Sequence, residues 1–338
     1  MAQDNRSTVT EFIILGFPST KDFQVLFFTL FLLIYLFTIL GNILLLLTLW
    51  TEPHLHIPMY FFLANLSVLE IGYTSVTVPK LLAVFLARAR VISLTACLAQ
   101  SYFFFFLGST ECFLLAIMAY DRYLAICNPL RYPMLMSSKT CAWLAFGSWG
   151  CGLLTPSLPN FLVRQLQFCG AVLDHFFCDV PPLLSLSCTD PYVSANTIFV
   201  SAAIIVLGSF LLTSLSYAYI LATVLRMSSS KGRQKAFSTC TAHLTVVCLY
   251  YSTVIFMYVT PTARQSKDVN KVVAVVYSVL TPMLNPLIYS LRNEDVKKAL
   301  RRMMLRIFHI SGLGIPTGQC RSAAEPRHYE QPGNGECS

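Results

Sequence analysis

Few residues in this chain could do chemistry, and they stand in unusual places. Asp121-Arg122-Tyr123 follows an apolar run from Val91 to Tyr120 in which Glu111 is the one charge. An adjacent carboxylate and guanidinium beside a bilayer hold each other until a partner competes for the arginine, which makes the pair a latch. Glu70 and Glu111 are the acids deep within apolar runs. Two carboxylates there should face the interior of a helix bundle and share a cation, a proton or water. Asn285-Pro286 with Tyr289 carries a different chemistry: the proline removes a helix hydrogen bond, Asn285 can satisfy the freed groups, and the bend makes a hinge about which Tyr289 can swing. Ser101, Phe104, Phe105, Gly108, Ser109 and Cys112 form a stripe at i, i+3, i+4 spacing, an apolar helix face with a few hydroxyls. No Ser-His-Asp, Walker or dinucleotide pattern appears, so the chain reads as a non-enzyme. His175 with Cys178 supplies too few ligands for a metal, and none is expected.

The elements that must position these residues are membrane helices. Of 338 residues, 55% are hydrophobic and only 12% charged, about half the charge of a soluble domain, and the mean hydropathy is +0.62. The net charge of +8 comes from scattered cations with no basic face, which gives no support to a nucleic-acid partner. Seven apolar segments are each long enough to span: residues 23–50, 58–79, 91–120, 140–163, 192–225, 236–262 and 272–291. This is an all-α membrane protein, a seven-helix bundle. The expected organisation is an N-terminal segment over 1–22, the bundle over 23–291, an amphipathic helix over 292–310 and a disordered tail over 311–338.

Orientation follows from where the cations lie. Arg122, Arg131, Lys139, the group from Arg226 to Lys235 and the group from Arg292 to Arg306 share the side opposite the N-terminus, so that side is cytoplasmic. The acceptor pattern Asn5-Arg6-Ser7 agrees with an outer N-terminus, glycosylated at Asn5. Of the twelve cysteines, Cys97, Cys169, Cys178 and Cys188 would share the outer aqueous side as a disulfide set. Their pairing is open from spacing alone, and Cys97 with Cys188 is among the alternatives.

Several motifs fall in order along the chain. Pro58-Met-Tyr-Phe-Phe-Leu63, Met118-Ala-Tyr-Asp-Arg-Tyr-Leu-Ala-Ile-Cys127, Lys235-Ala-Phe-Ser-Thr-Cys-Thr-Ala-His-Leu244 and Pro282-Met-Leu-Asn-Pro-Leu-Ile-Tyr-Ser-Leu-Arg-Asn293 together resemble the olfactory receptors among the rhodopsin-like G-protein-coupled receptors. Departures are Ile57, Ser252, a long tail and Glu70 where related receptors usually carry Asp in their sodium site. The resemblance implies a small, mostly apolar odorant ligand held by Phe104, Phe105, Gly108, Ser109, Cys112, Tyr251, Val254, Ile255, Tyr258 and Ser278, between spans three, five, six and seven. It implies a switch built from Asp121, Arg122, Tyr123, Asn285, Pro286 and Tyr289 that activates a heterotrimeric stimulatory G protein and raises cyclic AMP. It also implies a sodium ion at Glu70 and Glu111 as the only cofactor, a Cys97–Cys178 bond with Cys169 joined to Cys188, and the plasma membrane of olfactory sensory cilia, reached with a trafficking chaperone. The same chemistry would serve a chemosensor outside the nose. A transporter would need internal repeats or broken helices with polar residues at mid-membrane.

Overall fold

A chain this apolar can satisfy its backbone in lipid only within helices or a closed barrel, and long helices are what the computed structural model contains. It describes residues 9–17, 21–86, 90–259 and 267–310. Asn5 and the tail beyond 310 lie outside the described residues. Six described helices are long and apolar enough to cross a membrane, and their segments are Phe23–Thr51, Pro58–Phe85, Leu94–Cys127, Tyr192–Arg226, Cys240–Tyr258 and Asp268–Ser290. The fourth span is made of two shorter helices, Ser138–Leu154 and Ser157–Arg164. The fold is a seven-helix bundle, followed by the amphipathic helix Glu294–Ile310 with Glu294 and Asp295 in its first turn, where acidic charge suits the helix dipole.

Three spans depart from their expected form, each for a local reason. The second does not stop at Pro79 but continues to Phe85, since one missing donor kinks a helix inside a bundle without ending it. The third begins at Leu94, where the Ser93 hydroxyl accepts from the Ala96 amide at 3.3 Å. Val91–Ser93, expected inside the span, is a strand. The same helix runs on to Cys127, so Asp121-Arg122-Tyr123 lies within its last two turns and does not close it. In the fourth span, Pro156 and Pro159 each lack the amide that would continue the ladder, and the helix breaks at Thr155. The hydroxyl of Tyr102 donates to the Leu153 carbonyl beside this break at 2.8 Å.

The seventh span carries a π-helical turn over Val276–Leu280, and the Thr281 hydroxyl donates to the Val276 carbonyl at 3.0 Å. Further along, Pro286 cannot donate to the carbonyl of Pro282. Asn42 of the first span does so in its place, at 3.4 Å, and Pro286 would meet a Cβ at Gly41 at 3.5 Å.

One end of the bundle is closed by a small sheet. Strand β1, Glu11–Ile14, lies between β2, Val91–Ser93, and β3, Val172–Leu173, antiparallel to the first and parallel to the second. Alternation puts Phe12 and Ile14 inside at full burial. They pack with Cys97, Cys178, Phe168 and Leu173 in a cluster of their own. The described part of the segment 1–22 is therefore a structural strand, whereas its composition suggests only a polar tail.

Spans three and four meet at Gly152. A Cβ there would lie 2.0 Å from the Thr110 hydroxyl and 3.0 Å from its backbone nitrogen. Gly152→Ala is expected to overpack this contact by roughly 1–3 kcal/mol and to lower the surface staining and thermal midpoint of the protein. Thr110→Ala in the same chain should restore part of the loss. Equal stability of Gly152→Ala and the parent would contradict this packing.

Candidate functional site

Beneath the sheet lies a cavity of about 70 Å³. The third span builds one wall with Phe104, Phe105, Gly108, Ser109 and Cys112, and the sixth contributes Val254 and Tyr258. These are seven of the ten residues expected to hold a ligand. Tyr251, Ile255 and Ser278 are elsewhere. On the sixth span, Tyr250, Val254 and Tyr258 share one stripe at i, i+4, i+8, so residues one position later are turned by about 100°. Tyr251 is buried against Phe210, with ring centroids 5.3 Å apart, and its hydroxyl donates to the Cys112 carbonyl at 3.3 Å. Ile255 packs against the main core. Ser278 lies in the π-helical turn, fully buried, donating to the Ala274 carbonyl at 2.6 Å. Ser252 is exposed and its hydroxyl donates to the Leu249 carbonyl at 3.1 Å, so its departure from the family pattern does not reach the cavity.

The wall assigned to the seventh span comes from the fourth instead. Thr155, Pro156, Pro159 and Asn160 line the cavity, together with Ser201, Ala202 and Ile205 of the fifth span, Tyr73 of the second and Val180 of the loop above. The Thr-Pro-Ser-Leu-Pro-Asn run at 155–160 was the available signal, because two prolines in one turn must open a helix. Gly108 keeps the third span close to its neighbours: the Tyr250 hydroxyl donates to the Gly108 carbonyl at 2.7 Å, and a Cβ at Gly108 would be 3.6 Å from the Tyr73 hydroxyl. Apolar walls with a few hydroxyls and no charge among the described lining residues suit non-covalent binding of a small uncharged molecule.

The cavity has a tethered lid. Cys97 is bonded to Cys178 and Cys169 to Cys188, with Cα separations of 5.3 and 5.5 Å. The Cys178 amide donates to Gln100 Oε1 at 2.9 Å. The same loop reaches the sixth and seventh spans. The Tyr258 hydroxyl donates to both oxygens of Asp179 at 3.3 Å, it lies 2.8 Å from the Tyr277 hydroxyl, and Lys271 pairs with Asp174 at 2.5 Å. Burial, partly offset by the donors on Val180 and Tyr258, pushes Asp179 up from its ordinary 3.8 to about 7. Burial and then the Lys271 charge push His175 down to about 3, so that imidazole stays neutral.

Deeper in the bundle, Glu70 and Glu111 are at most 1% exposed. Asn285 donates to Glu70 Oε1 and is thus engaged across the bundle. The carbonyl freed by Pro286, which Asn285 was expected to satisfy, is instead served by Asn42. Glu70 Oε2 and Glu111 Oε1 have no hydrogen-bond partner among the described residues, so this pair needs protons or a cation.

At the far end of the third span, Asp121 and Arg122 lie 3.5 Å apart, both buried. Sequence reasoning missed the third member of this group: the Tyr132 hydroxyl donates to Asp121 at 2.8 Å. Tyr123 packs beside Tyr120 and Tyr219. Tyr289 is buried, with its hydroxyl unpartnered among the described residues. Tyr217 and His243 join spans five and six through a 2.6 Å contact between the Tyr217 hydroxyl and His243 Nδ1.

A seven-helix bundle with a lidded cavity at one end and a buried acid-arginine pair at the other is a multi-pass membrane protein with a site for a small molecule. The family described as "Olfactory receptor" matches residues 31–307. Human olfactory receptor 11L1 is 51% identical over 90% of this chain and 95% of its own length. Human olfactory receptor 6N1 is 50% identical over 91% and 99%, and rat olfactory receptor 226 is 49% identical over 89% and 94%. The chain belongs to the olfactory receptor family.

The lid carries a pH dependence. A carboxyl whose pKa is raised on folding stabilises the fold fully below its unfolded value and loses that contribution as pH rises through its folded value. For Asp179 the loss falls between about 3.8 and about 7. Across that interval the thermal midpoint of the purified receptor should fall with rising pH relative to Asp179→Asn. Parallel profiles for the two proteins would contradict the assignment.

Proposed function

We propose that this receptor detects small, mostly apolar, uncharged odorants in the cavity between spans three to six, and that it activates a stimulatory olfactory-type G protein to raise cyclic AMP. One observation carries the reading: the continuous helix Leu94–Cys127 lines the cavity with Phe104 to Cys112 and presents Arg122 at its other end. A ligand that contacts one arrangement of the sixth span better than another shifts the population toward it. Val254 and Tyr258 are the cavity residues through which the sixth span would respond. Release of Arg122 from Asp121 then gives the G protein a cationic contact at the cytoplasmic face, with Arg226, Lys231 and Arg233 close in sequence to help dock it.

The protein works at the plasma membrane, in the cilia of olfactory neurons, with its N-terminus outside and an accessory trafficking factor assisting export. Glu70, Glu111 and Asn285 are the residues that would hold a sodium ion, which would neutralise the buried acids; their unpartnered oxygens support this role.

The test is a cyclic AMP reporter screen of a chemically diverse odorant panel on the full chain, with surface level read by an N-terminal tag on intact cells. Arg122→Ala at equal surface level should abolish every ligand-evoked response. Full responses in that variant would refute the coupling role.

A further inference from the structure

The polar groups around the cavity are not equivalent, and the difference identifies what a ligand must bring. Tyr250 donates to the Gly108 carbonyl at 2.7 Å and contacts the Cys112 thiol at 3.5 Å. The Asn160 amide donates to the Leu98 carbonyl at 2.9 Å, and the Thr155 hydroxyl to the Cys151 carbonyl at 2.8 Å. Tyr258 is engaged by Asp179. Ser101 differs. Its residue is 1% exposed, it lines the cavity, and its hydroxyl has no hydrogen-bond partner among the described residues. A serine in mid-helix ordinarily bonds its hydroxyl back to the carbonyl four residues earlier, as Ser209 and Ser216 do. Ser101 makes no such bond.

A buried hydroxyl without a partner costs free energy that a ligand atom can recover. Ser101 sits one turn before Phe104 and Phe105 and two turns before Gly108, on the same helix face. A ligand oxygen meeting Ser101 would therefore leave its hydrocarbon body along those rings. We propose that Ser101 is a specificity-determining residue that selects ligands carrying one uncharged oxygen, a hydroxyl or carbonyl, on a lipophilic skeleton, over hydrocarbons of the same shape. This rests on the cavity being the ligand site, as proposed above. The serine hydroxyl can donate to a carbonyl or accept from an alcohol, so both oxygen types qualify. A carboxylate or ammonium does not, since no opposite charge lines the cavity.

The experiment uses the full receptor and matched pairs, octanal with octane and acetophenone with ethylbenzene, within a wider panel of such pairs. Responses are read by cyclic AMP at equal surface level. Activation is expected from oxygenated members and not from their hydrocarbon partners. Ser101→Ala should raise the half-maximal concentration of an oxygenated activator by roughly 2- to 10-fold, the range of one net neutral hydrogen bond, while Ser101→Thr, which keeps the hydroxyl, should retain most of the potency. Two results would overturn the assignment: hydrocarbons that activate as well as their oxygenated partners, or a Ser101→Ala curve that coincides with the parent. A control separates this from failure of the cavity itself. Val254→Trp fills the cavity and should abolish activation, so a response that survives it places the ligand elsewhere and overturns the site reading independently of Ser101.

Discussion

The bond between Cys97 and Cys178 is the constraint on which the lidded end of this receptor depends. It joins the first turn of the third span to a loop that would otherwise lie over the bundle with no covalent hold. Closing a loop of this length removes a large part of the unfolded chain's freedom, and what it fixes is specific. The next residue is Asp179, which receives Tyr258, and the one after is Val180, which lines the cavity. Around the bond, Phe12 and Ile14 of the first strand make an apolar plug. The roof of the cavity, the sixth-span tyrosine beneath it and the N-terminal strand above it therefore share one anchor on the third span.

Below that roof, polar groups hold the helices together, because lipid gives apolar faces no reason to prefer one another. Asn42 reaches the carbonyl that Pro286 leaves free, and Asn285 reaches Glu70. Trp149 of the fourth span donates to Asn65 of the second at 3.1 Å. Each bond joins spans far apart in sequence. The two acids behave differently from the Asp121 carboxylate, which has Arg122 at 3.5 Å and Tyr132 at 2.8 Å. Glu70 and Glu111 have no cation among the described residues near enough to pair with. Charge compensation is thus built into the Asp121-Arg122 pair and left to protons or an ion at the bundle centre.

Much of the fold was legible because membrane helices are specified by composition. Long apolar runs gave six spans nearly in place, and the third-span stripe from Phe104 to Cys112 was legible because helical period alone puts those residues on one face. What was hidden depends on rotation and on breaks. Tyr251 and Ile255 adjoin Tyr250 and Val254 in a helix that is apolar on all sides, so hydropathy does not say which face looks inward, and one residue of register moves a side chain by about 100°. Ser278 does not line the cavity, and a π-helical turn shifts the register of the seventh span just there. The fourth-span wall needed Pro156 and Pro159 to be read as an opening and not as tolerated kinks. The sheet was missed because Glu11–Ile14 is only four residues long, and its alternation carries no weight until β2 and β3 flank it.

Substitution at Gly108 tests most directly the proposal that the ligand sits in the space beside it. A Cβ there meets its nearest neighbours at 3.6 Å or more, so Gly108→Ala is accommodated by the fold, while Gly108→Leu projects into the cavity. With surface levels matched, graded loss of ligand-evoked cyclic AMP from glycine through alanine to leucine, larger for bulkier ligands, is the predicted result. Identical dose-response curves for all three proteins would contradict the claim.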